Sequence, residues 1–169
     1  MRFMTLTTHA VVGAAAASLF PTNPALAFSA GFVSHLVIDS LPHWDYRVLS
    51  KKQDFNRLND DMNVYDKRFV YDLLRIGGDA LLGTILAIYI FSFWLFDLPV
   101  WFVVLGAWAG ILPDPLQFVY WKTRSKLLLP LQRFHVWIQK GKSIEVSPIV
   151  GLFLQCILVF LVVSALKFF

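Results

Sequence analysis

Four apolar segments of the chain each place a histidine or an aspartate on the same helical stripe as small residues. Residues four apart lie on one face of a helix, and small residues let membrane helices approach closely. The spacing therefore predicts that four helices pack through these faces and bring their ionisable side chains to one interior place. The four stripes are His9, Gly13 and Ala17; Ala27, Gly31, His35 and Asp39; Asp79, Gly83 and Ala87; and Gly106, Gly110 and Asp114.

An ionisable side chain inside a membrane is costly, about 2.5–3.5 kcal/mol for an aspartate at a helix centre. Several ionisable side chains on faces that pack together are most simply explained by a polar site inside the bundle. Imidazole together with carboxylate predicts that this site binds a divalent metal ion. The predicted metal ligands are His9, His35, Asp39, Asp79, Asp114 and His135.

The candidates are densest around the end of the second segment. His35 and Asp39 are four residues apart, so both side chains can bind one ion. The chain continues as Ser-Leu-Pro-His-Trp-Asp, which adds His43 and Asp45 just beyond the predicted helix end. We predict His43, Asp45 and Asp114 as candidate catalytic residues. The alternative is that Asp39 and His43 cap the helix and the tryptophan between His43 and Asp45 anchors it at the membrane interface.

Each of the other candidates also has an interpretation without a metal. Asp79 could pair with Arg75, one turn earlier on the same helix. Asp114 stands between two prolines and could serve only to form a turn. His9 could hydrogen-bond across helices, and His135 could be an ordinary residue at the membrane interface. The sequence leaves these alternatives open.

The donor types favour zinc as the metal, with manganese or iron as alternatives. The single cysteine, Cys156, lies in an apolar run, so a cysteine-based zinc site is excluded. Six ligands would allow two ions, the arrangement that holds the attacking and leaving oxygens in phosphate ester hydrolysis. The sequence contains no nucleophile elbow, P-loop or dinucleotide-binding fingerprint. Since Glu145 is the only glutamate, a glutamate general base is not expected.

The composition is that of an integral membrane protein. The 169 residues are 57% hydrophobic, with a mean hydropathy of +0.62, whereas soluble domains are about 45–50% apolar. We predict an all-α membrane helical bundle that forms a single transmembrane domain over residues 1–169. The net charge of +4 is distributed between apolar segments, so it indicates membrane topology and not nucleic-acid binding.

Five transmembrane spans can be drawn, over residues 5–20, 25–41, 71–96, 100–120 and 147–169. The first two are short for a hydrocarbon core of about 30 Å, which needs about 20 helical residues. An alternative for the first span is a secretory signal cleaved after Ala25-Leu26-Ala27. The histidine and three threonines near its start argue against that alternative.

The charges predict the orientation. Most lysines and arginines lie in two long connections, residues 45–68 and 121–146, whereas the short turns between spans carry only Asp97. The positive-inside rule therefore places the N-terminus and both connections in the cytoplasm, in a cytoplasmic (inner) membrane. Apolar and basic residues interleave over residues 126–140, which predicts an interfacial amphipathic segment. Anionic lipid headgroups are the expected ligands of Lys122, Arg124, Lys126 and Arg133.

Several short motifs together resemble a known family. They are Thr8-His9 with Gly13, Ser34-His35-Leu36-Val37-Ile38-Asp39, Pro42-His43-Trp44-Asp45 and Gly110-Ile111-Leu112-Pro113-Asp114. This set is similar to the predicted membrane-bound metal-dependent hydrolases, small bacterial and archaeal multi-span proteins loosely grouped with zinc-dependent phospholipase C. The family often continues its Leu-Pro-Asp block with a further aspartate and histidine, whereas this chain continues with Pro115-Leu116. The resemblance implies a metal-dependent hydrolase.

These observations support three functional hypotheses. The first is a membrane hydrolase in which the metal activates water at the cytoplasmic interface, with a lipid phosphoester as substrate and membrane lipids as partners. The second is a metal-ion or proton transporter that uses the same ligands. The third is a non-enzymatic membrane assembly protein whose polar residues only hold the helices together. The sequence leaves the oligomeric state open.

Overall fold

Seven α-helices carry the fold in the computed structural model, which describes residues 2–140 and 146–166. The predicted all-α class is therefore confirmed. Helix α3 continues directly into a π-helical segment, Tyr89–Trp94. The helices are α1 (Leu6–Ser18), α2 (Pro24–Asp39), α3 (Lys67–Ile88), α4 (Val100–Ile111), α5 (Pro113–Thr123), α6 (Leu129–Ile138) and α7 (Pro148–Ala165).

The polar connection between α2 and α3 has structure of its own. Strand β1 (Arg2–Phe3) pairs antiparallel with β2 (Tyr46–Arg47), and β3 (Lys51–Lys52) pairs antiparallel with β4 (Asp61–Met62). A 3₁₀ turn, Arg57–Asn59, lies between β3 and β4. One pair therefore joins the connection to the N-terminal strand β1, and the other pair lies within the connection.

Helix α1 is the central element and packs against α2, α3, α4 and α7. Its approach to α4 depends on glycine, because a Cβ added to Gly13 would lie 2.6 Å from the carbonyl oxygen of Gly106. A Cβ on Gly83 of α3 would likewise lie 2.9 Å from the Cβ of Ala10. The small residues of the predicted stripes thus lie where the helices meet, and the ionisable residues of the same stripes are carried inward with them.

The number of predicted spans needs correction. Among the described residues, two helices are long and apolar enough to cross a membrane, Lys67–Trp94 and Pro148–Ala165, and α4 with α5 is a third only if a pair bent by 47° counts as one span. Helices α1 and α2 have 13 and 16 residues. At 1.5 Å per residue they are about 20 and 24 Å long, short of a core of about 30 Å. Helix α1 is apolar on all sides because other helices enclose it.

The bend between α4 and α5 positions one site residue. Pro113 and Pro115 are in the first turn of α5, where proline is tolerated but cannot extend the preceding helix. Asp114 lies between them, in the first turn of the new helix. A carboxylate is electrostatically favoured there because the N-terminus of a helix carries a partial positive charge.

Candidate metal centre

Five of the six predicted metal ligands meet in the interior. Helix α1 contributes His9, α2 contributes His35 and Asp39, α5 contributes Asp114, and α6 contributes His135. Four of these residues are at most 1% exposed, and Asp114 is 12% exposed at its side chain. The chain therefore gathers three imidazoles and two carboxylates from four helices into one buried group.

Asp39 lies at the centre of the group. Its Oδ1 is 3.4 Å from Nε2 of His9, and its Oδ2 is 3.4 Å from Nε2 of His35 and 2.9 Å from Nε2 of His135. Asp39 is the last residue of α2, where the negative end of the helix dipole disfavours a carboxylate. Positive charge near this carboxylate would offset both its burial and its position.

The distances between donor atoms suit coordination of an ion. Zinc–nitrogen bonds of about 2.0–2.1 Å place neighbouring tetrahedral ligand atoms about 3.3 Å apart. Nε2 of His35 lies 3.4 Å from Nε2 of His135 and 3.6 Å from Oδ1 of Asp114. Direct N–H···O hydrogen bonds are shorter, about 2.9 Å. Two overlapping groups could each hold a metal ion: His9, His35 and Asp39, and His35, Asp114 and His135.

The second ring nitrogen of His35 is held by the backbone. Its Nδ1 lies 2.7 Å from the carbonyl oxygen of Gly110, so Nδ1 carries the proton and donates it. When the ring is neutral, its Nε2 has a lone pair available to an ion in the group. A backbone carbonyl on the outer nitrogen is the arrangement that fixes the ring of a metal-binding histidine.

Gln117 of α5 supports His135 in a comparable way. Its side-chain nitrogen lies 3.4 Å from Nδ1 of His135, and its Oε1 has no hydrogen-bond partner among the described residues. Rotation of this amide by 180° lets Oε1 accept the proton of Nδ1. In that arrangement Nε2 of His135 also presents a lone pair to the group.

Two further glutamines of the α6 region were missed by the sequence analysis. The amide nitrogen of Gln139 donates to Oδ2 of Asp39 at 2.6 Å and lies 3.0 Å from Nε2 of His135. Gln132 is buried on the same side of the helix. Gln132, His135 and Gln139 are spaced i, i+3 and i+7, whereas Phe134 and Trp137 are exposed. The polar side of the predicted interfacial segment therefore faces the site, and this spacing was visible in the sequence.

The structure does not place the sixth predicted ligand, Asp79, with the other five. Its Oδ2 accepts from the backbone N–H of Leu6 at 2.6 Å, and its Oδ1 accepts from the backbone N–H and hydroxyl of Thr7 at 3.2 and 2.7 Å. The carboxylate thus caps the N-terminus of α1 from a neighbouring helix. The alternative partner Arg75 lies instead over the ring of Tyr46, at 4.6 Å.

The predicted catalytic residues His43 and Asp45 form a separate pair. Nε2 of His43 lies 2.8 Å from Oδ1 of Asp45, and Nδ1 lies 2.7 Å from the carbonyl oxygen of Leu41. Burial favours the neutral ring, but the hydrogen bond and charge of Asp45 outweigh it, so the pKa of His43 is raised above its usual value. Trp44 is buried against Gly151 of α7, so it is not an exposed anchor.

The four predicted headgroup-binding residues divide into two kinds. The ammonium group of Lys122 lies 2.6 Å from Asp61, and the guanidinium of Arg124 donates to the carbonyl oxygens of residues 58–60. These two side chains hold the loop between β3 and β4 against α5. Lys126 and Arg133 are exposed.

Protein-family models, curated proteins and solved structures give no match to this chain. The geometry therefore stands on its own. It shows an all-helical protein with two or three helices able to cross a membrane and a buried histidine–aspartate group that could hold a metal ion.

Proposed function

We propose that the chain is a membrane-embedded, metal-dependent hydrolase that acts on a lipid phosphoester. The observation that carries the proposal is the convergence of His9, His35, Asp39, Asp114 and His135 from four helices, with Nε2 of His35 aimed into the group by the Gly110 carbonyl. Four of the five lie in the motifs by which the sequence resembles the predicted membrane-bound metal-dependent hydrolases. The fold brings together residues that are up to 126 positions apart, the separation of His9 and His135.

Zinc is the proposed metal, with manganese and iron as the alternatives that elemental analysis distinguishes. Three imidazole nitrogens with carboxylate oxygens suit zinc, and the group contains no thiolate. A protonated His35 is the alternative that could balance Asp39, since its Nε2 lies 3.4 Å from Asp39 and 3.6 Å from Asp114. Elemental analysis distinguishes that arrangement from a bound ion. A divalent ion in the group would supply a Lewis acid that polarises the ester and activates water.

Asp114 is the proposed catalytic residue of the group. It is the most exposed of the five, and its Oδ1 has no hydrogen-bond partner among the described residues. Hydrolysis forms a phosphorus–oxygen bond to the water and breaks the bond to the leaving oxygen. The Asp114 carboxylate accepts the proton that the water loses, and the leaving oxygen gains one proton. His43 and Asp45 are paired with each other, so we now assign them a positioning role in the turn after α2.

The site is proposed to face the cytoplasmic interface of an inner membrane. In this proposal helices α3 and α7 and the bent pair α4–α5 cross the bilayer. The basic connections that follow α2 and α5 then both lie on the cytoplasmic side, as the positive-inside rule requires. Exposed Phe134 and Trp137 suit the headgroup level. Lys126 and Arg133 are the basic residues whose exposed side chains are available to an anionic headgroup.

The test is hydrolysis in vesicles that contain a panel of bacterial phospholipids. Zinc-loaded protein should release phosphate or a phosphorylated headgroup. Asp114→Asn should abolish release while the protein stays folded and keeps a metal ion on the group that lacks Asp114, namely His9, His35 and Asp39. Asp97→Asn, the same substitution at an exposed turn residue, is the matched control and should remain active.

Failure of the metal-loaded wild type on every lipid of the panel would overturn the hydrolase proposal. If the same preparation then carried zinc across proteoliposome membranes, the ligands would serve transport. Metal that is bound without turnover or flux would favour the assembly protein.

A further inference from the structure

A cavity of about 190 Å³ adjoins the histidine–aspartate group. Its walls come from the start of α1, the first turns of α3, helix α5 and the β2 and β4 strands. Ten residues line it, and Asp114 is the only charged one among them. The remaining wall is almost entirely apolar, with large side chains such as Phe69, Ile76 and Phe118.

Asp114 links this cavity to the proposed metal centre. Of the five residues in that centre, Asp114 alone lines the cavity. Its Oδ1 faces the ring nitrogens of His35 and His135, at 3.6 and 3.8 Å. A molecule that fills the apolar cavity therefore ends beside a carboxylate of the site, and its polar end would meet the site there.

The cavity reaches the outer surface of α3. Leu73 lines the cavity and is also 57% exposed. It lies near the beginning of Lys67–Trp94, a helix able to span a membrane, and the adjacent Leu74 is exposed too. The side chains around the entrance are those that suit the hydrocarbon of a bilayer close to its headgroup level.

We infer that this cavity binds an acyl chain of the lipid substrate and thereby places the ester group at Asp114. The inference rests on the proposed function and names its substrate class, a glycerophospholipid with an aliphatic chain. An apolar cavity of about 190 Å³ that is lined by the exposed Leu73 suits a flexible chain, whereas this volume has no room for a helix of a second protein. A small polar substrate would leave the walls without a partner.

Chain length gives a quantitative expectation. Burial of one methylene from water strengthens binding about fourfold. With short-chain phospholipids below their micelle concentration, KM should therefore fall about fourfold per added methylene until the cavity is filled, and then level off. A site that binds only the headgroup would show the same KM for every chain length.

The direct test is photolabelling with a phosphatidylglycerol that carries a diazirine at the end of one acyl chain. The label should enter peptides that line the cavity, chiefly the Phe118 region of α5. Leu73→Trp fills the entrance and should cut this labelling and the turnover at least tenfold, while metal content stays unchanged. Leu81→Trp is the matched control, because Leu81 lies on the same helix, is 61% exposed and does not line the cavity.

The outcomes separate the two proposals. Turnover by the wild type with no dependence on chain length and no effect of Leu73→Trp would overturn the acyl-chain inference and leave the hydrolase intact. Cavity labelling that Leu73→Trp removes, in a protein without turnover on any lipid, would support chain binding and overturn the hydrolase. Labelling that is equal in Leu73→Trp and Leu81→Trp would show that the chain binds elsewhere.

Discussion

Replacement of Asp79 by asparagine should destabilise the bundle without removing its metal. The Asp79 carboxylate accepts hydrogen bonds from the backbone N–H groups of Leu6 and Thr7 at the start of α1. The N-cap residue of this helix, Thr5, makes no capping hydrogen bond with its side chain. Asp79 therefore performs from α3 the role that an N-cap side chain usually performs within the helix.

The size of the effect follows from the contacts. Asparagine keeps one acceptor oxygen and turns the other into an NH₂ group, which faces an N–H donor. Loss of one charge-assisted hydrogen bond costs about 1.5–3 kcal/mol, and loss of the charge beside the helix N-terminus adds about 0.3–1 kcal/mol. The free energy of unfolding in mixed micelles should therefore fall by about 2–4 kcal/mol.

Asp97→Asn is the control for this measurement. Asp97 is exposed and has a positive φ of 51°, which asparagine also tolerates, so its stability should change by less than about 0.5 kcal/mol. An Asp79→Asn protein as stable as the wild type would refute the capping role. Loss of metal at unchanged stability would return Asp79 to the set of ligands.

Two more predictions concern packing and pH. Gly13→Ala should destabilise the bundle by about 1–3 kcal/mol, because its Cβ would lie 2.6 Å from the carbonyl oxygen of Gly106. Gly78→Ala should leave the stability unchanged, because its Cβ would meet nothing within 4 Å. The same unfolding assay compares the two variants. The raised pKa of His43 means that its pair with Asp45 stabilises the fold fully below pH 6.5, and that this contribution is lost as the pH rises through the folded-state pKa. Unfolding measured from pH 5 to 9 should show this loss in the wild type and not in Asp45→Asn.

The convergence of His9, His35, Asp39 and Asp114 could be predicted because each shares a stripe with small residues. Where Gly13 and Gly110 let two helices touch, residues one turn away on the same faces are carried to the same depth. For these four residues, spacing along one helix therefore identified the packing face and the side chains that meet there.

The same pattern gave a wrong position for Asp79, because a stripe of small residues identifies the face that packs and not the level at which it meets the partner helix. Gly83 does pack against α1, but Asp79 lies one turn closer to the start of that helix, beside its free N–H groups. The buried Gln117 gave no comparable signal, since an uncharged amide carries a smaller cost in an apolar segment than an ion does.

The number of spans could not be read from hydropathy alone. A helix that is apolar on every side suits lipid and a protein interior equally well. Helix α1 is enclosed by its neighbours, whereas α3 and α7 leave most of their apolar side chains exposed. Only the packing of the chain distinguishes the two environments.

The most direct test of the central claim is the metal content of protein purified without chelators, measured for the wild type and two matched variants. His35→Gln removes a donor that belongs to both ligand groups. His43→Gln removes a buried histidine outside them. We expect at least one zinc, manganese or iron ion per chain in the wild type and in His43→Gln, and a loss of most of the metal in folded His35→Gln. A folded wild type that neither retains nor takes up metal, or equal metal in both variants, would contradict the account.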